Sequence, residues 1–371
     1  MYTGLCLSDP HPDYASDGYT KRTLSATRFA GRYRLVDFTL SNMVNSGIYT
    51  IGMMLNSQYQ SLIAHICMGK EWDLARKSGG VTFFPPYLAD ERQSVNREID
   101  GPLQRAAAYL AAAKEEYVVL VDSSVICNMD YRQAIRAHGE TGADVTAIYA
   151  KKNLSRDDWE YSVVFDIAED RRIHGIRAAS PSGSSSNVSL GAYIMHKKFF
   201  LQLMAGEKNC GMLRFSRELL AGALGRLKVV AYEFTGYSAQ IFSVETFFKY
   251  NMEMLDHKKR NALFDFEGRR IFTTRRDSLP TKYGKSAVVE NSITADGCQI
   301  EGTVINSIIC RGVRIRPGAV VKNCILKDRT VVEKDAKLHW MITDRDVIIS
   351  ESRNMIGTDT YPVYIGPDRI V

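Results

Sequence analysis

A stretch of fourteen positions near the amino terminus includes the cationic residues Lys21, Arg22, Arg28 and Arg34. Guanidinium groups bind phosphate and carboxylate oxygens and stay charged at every physiological pH. Clustered cations also repel one another unless an anion or solvent offsets the repulsion. The cluster therefore predicts either a site for a phosphorylated metabolite or a solvated basic face, and both interpretations stay open at this point.

A second candidate for chemistry is a carboxylate at the end of an apolar run. Asp122 and Ser124 follow residues 117–121, which are predicted to form a buried strand. Alternation along a strand would point both side chains to the same side. Asp122 is therefore either a metal ligand or a polar residue at a strand end, and we favour the second interpretation.

The elements that must position these residues are those of an α/β domain. The first 250 residues alternate short β-rich runs with helical runs, which predicts a mostly parallel sheet. Residues 49–55 are predicted to form a further buried strand. Helices are predicted over 103–114, where Pro102 stands at the start, and over 244–259.

A different pattern begins after residue 285. A five-residue motif, apolar at both ends and with Asn in the middle, recurs at 289–293, 304–308 and 321–325, so that its asparagines are 15 and 17 residues apart. Repeats of about three hexads with turn-forming glycines between them are typical of a parallel β-helix, in which each coil buries the face of its neighbour.

The pattern divides the chain into three parts. A sheet domain is predicted over 1–255, a charged linker that contains Pro280 over 256–285, and a β-helix domain over 286–371.

Composition restricts the class of protein. The chain has 371 residues, of which 45% are hydrophobic and 24% charged, enough apolar material for one large or two ordinary domains. The net charge of +6 is mild and the basic residues are dispersed, which argues against a nucleic-acid-binding face. No apolar run reaches the roughly 18 residues of a membrane span. Seven cysteines are scattered singly, so we expect a cytoplasmic protein.

One segment carries a family signature. Residues 29–38 read FAGRYRLVDF and are followed by LSN at 40–42 and VNSGI at 44–48. This resembles the F-G-G-[KR]-[YF]-R-x-[IV]-D-F signature, with L-S-N and N-S-G-I after it, of the glucose-1-phosphate adenylyltransferases, also called ADP-glucose pyrophosphorylases. The resemblance extends over essentially the whole chain. It implies a Rossmann-like nucleotidyltransferase domain followed by a left-handed parallel β-helix.

The catalytic positions of that family hold other residues here. The family's glycine-rich phosphate loop corresponds to residues 7–18, which contain one glycine, two prolines and three aspartates. Proline lacks the N–H that cradles a phosphate, and aspartate repels one. The resemblance also places Ser124 and Gln240 at two metal-binding aspartates, Ala179 at the lysine that holds the sugar phosphate, and Leu24 at another family lysine. It therefore implies that this chain has no catalytic residue and binds no metal.

The same resemblance implies a role without catalysis. Residues 22–26 are similar to a non-catalytic second subunit of Gram-positive bacteria. Such a chain would need no cofactor of its own. It would assemble with a catalytic ADP-glucose pyrophosphorylase subunit that uses Mg2+, and the expected assembly is a heterotetramer in glycogen biosynthesis. In active bacterial enzymes the segment that matches Lys21, Arg22 and Arg34 contacts allosteric sugar phosphates, and Arg28 falls within it. The resemblance thus implies an effector site at these four residues.

Two alternatives stay open. If Asp122 replaces the lost carboxylates, the chain would be an active glucose-1-phosphate adenylyltransferase. Such an enzyme makes ADP-glucose and diphosphate from ATP and glucose 1-phosphate. A hexapeptide-repeat acyltransferase would need a histidine base in the coils, where only His339 is available near the end of the repeats.

Overall fold

A computed structural model describes residues 2–7, 23–55, 58–85, 102–154, 156–159, 161–180, 185–205, 207, 210–275 and 277–371. Lys21, Arg22 and nearly all of the segment that corresponds to the phosphate loop lie outside the described residues. No helix in these ranges is long and apolar enough to cross a membrane.

The first domain is built on a nine-stranded sheet. The strands of this domain are β1 Tyr2–Leu7, β2 Arg28–Phe29, β3 Tyr33–Arg34, β4 Thr50–Met54, β5 Gly80–Phe84, β6 Tyr117–Asp122, β7 Val125–Cys127, β8 Val145–Lys152, β9 Val163–Ile167, β10 Ile173–Ala178, β11 Ser186–His196, β12 Val229–Glu233 and β13 Ser238–Gln240. The order β10-β9-β11-β6-β1-β4-β5 forms the main path, and β8 joins β12 to β11. Strands β6, β1, β4 and β5 pair in parallel, and so do β8 and β12. Strand β11 runs antiparallel to β6 and β8. The mostly parallel sheet is confirmed.

Helices cover both faces of the sheet, which is why its central strands are apolar on both sides. The α-helices are α1 Leu35–Asn45, α2 Gln60–Ile66, α3 Pro102–Ala112, α4 Tyr131–Thr141, α5 Arg156–Trp159, α6 Lys197–Met204, α7 Met212–Arg214, α8 Ala221–Ala223, α9 Val244–Met252 and α10 His257–Phe264. Short 3-10 helices span Leu24–Ala26, Lys70–Trp72 and Glu253–Leu255, and Phe215–Leu220 form a π-helix between α7 and α8.

The second domain is the β-helix that the repeats and the family resemblance predict. Its strands are β14 Lys282–Tyr283, β15 Val288–Glu290, β16 Ile293–Thr294, β17 Gln299–Ile300, β18 Thr303–Ile305, β19 Ile308–Ile309, β20 Arg314–Ile315, β21 Val320–Lys322, β22 Ile325–Leu326, β23 Val331–Val332, β24 Lys337–His339, β25 Met341–Thr343, β26 Ile348–Ile349, β27 Asn354–Ile356 and β28 Val363–Ile365. They form three parallel five-stranded sheets. The repeated asparagines, Asn291, Asn306 and Asn323, have φ angles of 40°, 47° and 51° and turn the chain between two of these sheets. Asparagine adopts this left-handed conformation more readily than most residues, which explains the motif.

The two domains share one apolar core. Ile308, Ile325 and Ile342 of three successive coils pack in a cluster with Phe38 of α1 and Phe247 of α9. All five side chains are at most 1% exposed. The β-helix is therefore packed against the sheet domain over a buried apolar surface.

Two predicted boundaries differ from the structure. The helix predicted over 244–259 is interrupted, because the Asp256 carboxylate accepts hydrogen bonds from Lys258 N and Lys259 N and begins α10. The predicted linker over 256–285 accordingly contains α10, and its last part supplies β14 to the first coil.

Candidate functional site

The candidate site lies where β6 leaves the sheet. Asp122, the last residue of β6, is paired in register with Leu7 at the end of β1. The next residue, Ser123, donates its hydroxyl to the Leu7 carbonyl oxygen. In open α/β sheets, ligands bind beyond the carboxyl ends of the parallel strands, so this edge is the expected place for one.

Ser124 and Gln240 are neighbours in the structure. Strands β7 and β13 pair antiparallel, which puts Gln240 opposite Val125. The Ile241 amide donates to the Ser124 carbonyl oxygen at 3.2 Å. Ser124 Oγ and Gln240 Oε1 are both buried. The Ser124 hydroxyl interacts with the Asp122 carboxyl, whereas Gln240 Oε1 has no hydrogen-bond partner among the described residues. The pairing thus brings together the two positions that the resemblance assigns to metal-binding aspartates.

Asp122 adds a carboxyl group to the same region. It is 6% exposed, and its Oδ1 accepts a hydrogen bond from Ser124 N at 2.8 Å. Burial raises the pKa of the Asp122 carboxyl, and the hydrogen bond from the Ser124 amide opposes that shift only in part. The surroundings therefore make this carboxyl harder to ionise than a carboxyl in water.

The backbone of β11 is shaped to fit against Asp122. The pairing of β11 with β8 shifts register between Ser189 and Ala192, which is a bulge. Within it Gly191 has a φ of +57°, and a Cβ at this position would lie 2.8 Å from the Asp122 Cβ. Only glycine allows this close approach without strain.

A cavity of about 420 Å³ opens beside these residues. Its lining includes Asp122 and Gln240 on one wall and Arg214, Arg217 and Glu218 on another. The Arg214 Nε donates to Glu218 at 2.9 Å, and an Arg217 guanidinium nitrogen donates to the Ser162 carbonyl oxygen at 3.2 Å. The volume is that of a small-molecule site.

The other two altered positions lie apart from each other. Ala179 follows β10, and its amide donates to the Ser162 carbonyl oxygen at 3.0 Å, next to the cavity residue Val163. Leu24 is 2% exposed and packs in the apolar core that the two domains share. Ala179 is therefore near the cavity, whereas Leu24 is a core residue.

The residues at this site do not fit a magnesium ion. Mg2+ prefers charged oxygen ligands in octahedral geometry. Asp122, Ser124 and Gln240 offer one desolvated carboxyl, one hydroxyl and one amide. No group of three or more His, Cys, Asp and Glu suited to a metal was found in the described part of the chain. That this chain needs no metal stays a prediction.

Arg28 has a buried carboxylate partner in the β-helix. Its guanidinium lies 2.7 Å from Asp328 Oδ2, and a further nitrogen donates to the Arg32 carbonyl oxygen at 3.0 Å. The Arg28 side chain is 4% exposed and that of Asp328 12%. An external anion would have to displace Asp328 to reach Arg28.

Arg34 is also engaged by the protein. It is 6% exposed, and one guanidinium nitrogen donates to the Ser61 carbonyl oxygen at 2.6 Å. Arg28 and Arg34 are paired in register across β2 and β3. Since Lys21 and Arg22 lie outside the described residues, an anion site formed by all four stays a prediction.

The cavity wall formed by residues 212–218 was not anticipated from the sequence. Arg214 and Glu218 are four residues apart, a spacing that indicates one helical face but no particular site. The informative feature is the π-helix over Phe215–Leu220, since such irregular turns are frequent at functional sites. It becomes visible only in the structure.

The class of protein follows from the two domains together. Residues 21–236 match the family model for nucleotidyl transferases, and residues 279–362 match that for the GlmU-like C-terminal hexapeptide. The chain is a nucleotidyltransferase-type sheet domain joined to a hexapeptide β-helix.

Proteins of similar sequence show which family within this class the chain belongs to. The glycogen biosynthesis protein GlgD of Bacillus subtilis (strain 168) is 32% identical over 348 residues, which cover 93% of this chain and 90% of that protein. The glucose-1-phosphate adenylyltransferase of Fervidobacterium nodosum is 30% identical over 92% of this chain and 80% of its own length. That of Clostridium perfringens (strain 13 / Type A) is 29% identical over 83% and 78%. The chain belongs to the family that comprises GlgD and the glucose-1-phosphate adenylyltransferases.

Proposed function

We propose that this chain is a non-catalytic regulatory subunit of bacterial ADP-glucose pyrophosphorylase. It assembles with a catalytic homologous subunit and raises the turnover of that subunit, or its response to effectors, in glycogen biosynthesis. The observation that carries the proposal is the juxtaposition of Ser124, Gln240 and the desolvated Asp122 at one edge of the sheet.

Adenylyl transfer from ATP to a sugar phosphate moves charge between phosphoryl oxygens, so a catalytic site must offset that charge. The cavity wall that contains Asp122 and Gln240 carries at most one negative side chain with which to hold a cation. Loss of one group that stabilises transition-state charge typically slows an enzyme by roughly 100- to 1,000-fold. Loss of two should leave the isolated chain without measurable activity.

The direct test is turnover of the purified chain with ATP, glucose 1-phosphate and Mg2+, beside a catalytic homologue as the positive control. We expect no ADP-glucose above background. Turnover at even about 1% of the homologue would contradict a non-catalytic role, since it exceeds what two such losses allow.

The second candidate is an active adenylyltransferase with Asp122 as a displaced metal ligand. It is favoured only by the position of Asp122 and Gln240 on the same cavity. If the chain alone is active and Asp122→Asn abolishes that activity, this candidate is correct. Under our proposal the double variant Ser124→Asp, Gln240→Asp also stays short of full activity, because residues 7–18 lack a glycine-rich phosphate loop.

The last coil of the β-helix is the surface we propose for contact with the partner subunit. Strands β26, β27 and β28 end the three sheets. The edge of β26 is covered by residues 369–371, whereas β27 and β28 each have one edge with no further strand in the described chain. Ile356, Tyr361 and Ile370 are 66%, 64% and 75% exposed. An open strand edge with exposed apolar side chains favours association with another chain.

Deleting residues 286–371 would be an unclear test of this surface, because Phe38 and Phe247 would lose their buried contacts with the coils. The double variant Ile356→Glu, Tyr361→Ser is cleaner. We expect it to reduce co-purification with the catalytic subunit at least tenfold while its thermal unfolding stays unchanged.

Arg314→Glu, an exposed charge substitution in β20, is the matched control and should co-purify normally. Normal assembly of the double variant would show that the last coil is not the contact surface.

A further inference from the structure

A second cavity lies where β8 and β12 end. Its volume is about 580 Å³, and it shares no lining residue with the cavity beside Asp122. The parallel pairing of β8 and β12 brings Lys151, Lys152 and Glu233 to this edge of the sheet. Residues of α5, α9, α10 and the 3-10 helix over Glu253–Leu255 also line the walls.

Three of the four lysines in these walls are neutralised by carboxylates. The ion pairs are Lys249 with Asp158 at 2.9 Å, Lys151 with Glu233 at 3.2 Å and Lys259 with Glu253 at 2.9 Å. The nearby phenols are also engaged, because Tyr250 donates to Asp158 and Tyr237 donates to Glu253. The three carboxylates of this cavity are therefore already engaged in ion pairs and hydrogen bonds.

Lys152 is the exception. Among the side chains that the structure describes, no carboxylate lies within ion-pair distance of its ammonium group. Burial lowers the pKa of Lys152 to about 8, and the charge of Lys249 adds to that effect. Asp158, Cys127 and Glu253 act in the opposite direction without restoring the ordinary value. The cavity therefore contains one partly buried cation with no ion-pair partner among the described side chains.

We propose that this cavity binds a small oxyanion, as inorganic phosphate or a phosphate monoester, with Lys152 as its ion-pair partner. A lysine ammonium group binds phosphate as a point charge and needs no fixed geometry. The cavity has the volume of a small-ligand site. Bound phosphate would supply the counterion that Lys152 lacks, and it would leave the three existing ion pairs intact.

Anion binding beside Lys152 would change the pKa of its ammonium group. A bound anion stabilises the charged form of Lys152, so its pKa must rise on binding and the complex must take up protons near pH 8. Competitive labelling of lysines with acetic anhydride, followed by mass spectrometry across a pH series, reports the pKa of Lys152 in the free chain. Repeating it in phosphate, with chloride used to match ionic strength, should raise that pKa by about one unit or more and slow labelling near pH 8 by roughly fivefold or more.

Two variants test whether phosphate binds at Lys152. Lys152→Met should abolish the rise in melting temperature that phosphate causes, whereas Lys337→Met, an exposed lysine of β24, should keep it. The same series with glucose 6-phosphate tells whether the ester or the free ion is preferred. A labelling pKa of Lys152 that phosphate does not move would overturn the proposal, and so would an equal phosphate effect in Lys152→Met. These readouts use the chain alone and do not depend on the proposed regulatory role.

Discussion

Arg28 and Asp328 are 300 positions apart in the chain and form a buried ion pair between the two domains. The Nε and one terminal nitrogen of Arg28 lie 3.1 and 2.7 Å from the same oxygen, Asp328 Oδ2. The other oxygen, Oδ1, is buried without a hydrogen-bond partner among the described residues. The pair therefore fixes the β-helix against the strands β2 and β3.

The first prediction concerns the strength of this contact. Arg28→Met leaves the Asp328 carboxylate buried without its cation and should lower the free energy of unfolding by about 3 to 5 kcal/mol. Removing both charges in Arg28→Met, Asp328→Asn should restore much of the loss. Urea unfolding of the two single variants and the double variant measures the coupling, and simple additivity would show that the two side chains do not interact.

The second prediction concerns regulation. If a phosphorylated effector binds at Lys21, Arg22, Arg28 and Arg34, it competes with Asp328 for Arg28. Asp328→Asn should then lower the effector concentration for half-maximal activation of the mixed enzyme, roughly tenfold for 1.4 kcal/mol of competition. Arg22→Ala and Arg28→Ala should raise it.

Arg329→Ala is the control for that titration, because Arg329 neighbours Asp328 but pairs with Asp346. If complexes with Asp328→Asn, Arg22→Ala and Arg28→Ala all give the same effector curve as the complex with the natural chain, the four cations do not form an effector site.

The third prediction follows from the environment of Asp122. Its pKa is raised in the folded chain, so the folded state holds this proton more tightly than the unfolded state does. The carboxyl therefore reduces stability as the pH rises from about 4 through its folded pKa. Asp122→Asn lacks this penalty and can still accept the Ser124 hydrogen bond.

We expect Asp122→Asn to be more stable than the natural chain at neutral pH and equally stable near pH 4, as measured by urea unfolding. The opposite result, a variant that is less stable at neutral pH, would mean that the charged carboxylate is favoured there. That outcome would support the alternative in which Asp122 binds a metal.

The β-helix was predictable because a short stretch of sequence specifies each of its coils. Each coil repeats the same short motif, and Asn291, Asn306 and Asn323 mark a turn that requires a positive φ. The interruption before α10 was less accessible, since residues 244–264 contain no proline or glycine, and only the capping carboxylate of Asp256 marks the start of a new helix.

The candidate site was predictable in part. Family motifs identified Ser124 and Gln240, and the β7–β13 pairing makes them neighbours. The pairing of Arg28 with Asp328 was not predictable, because nothing in a single sequence links residues 300 positions apart. The Asp37 contact with His65 at 2.6 Å, which joins α1 to α2, was missed for the same reason.

The most direct measurement of the central claim is ADP-glucose synthesis by three samples: the catalytic subunit alone, this chain alone, and the two purified together. We predict no activity from this chain alone, and from the co-purified complex a higher turnover or a lower effector requirement than the catalytic subunit shows by itself. Failure of the two chains to associate, or a mixture whose activity and effector response equal those of the catalytic subunit, would contradict the account.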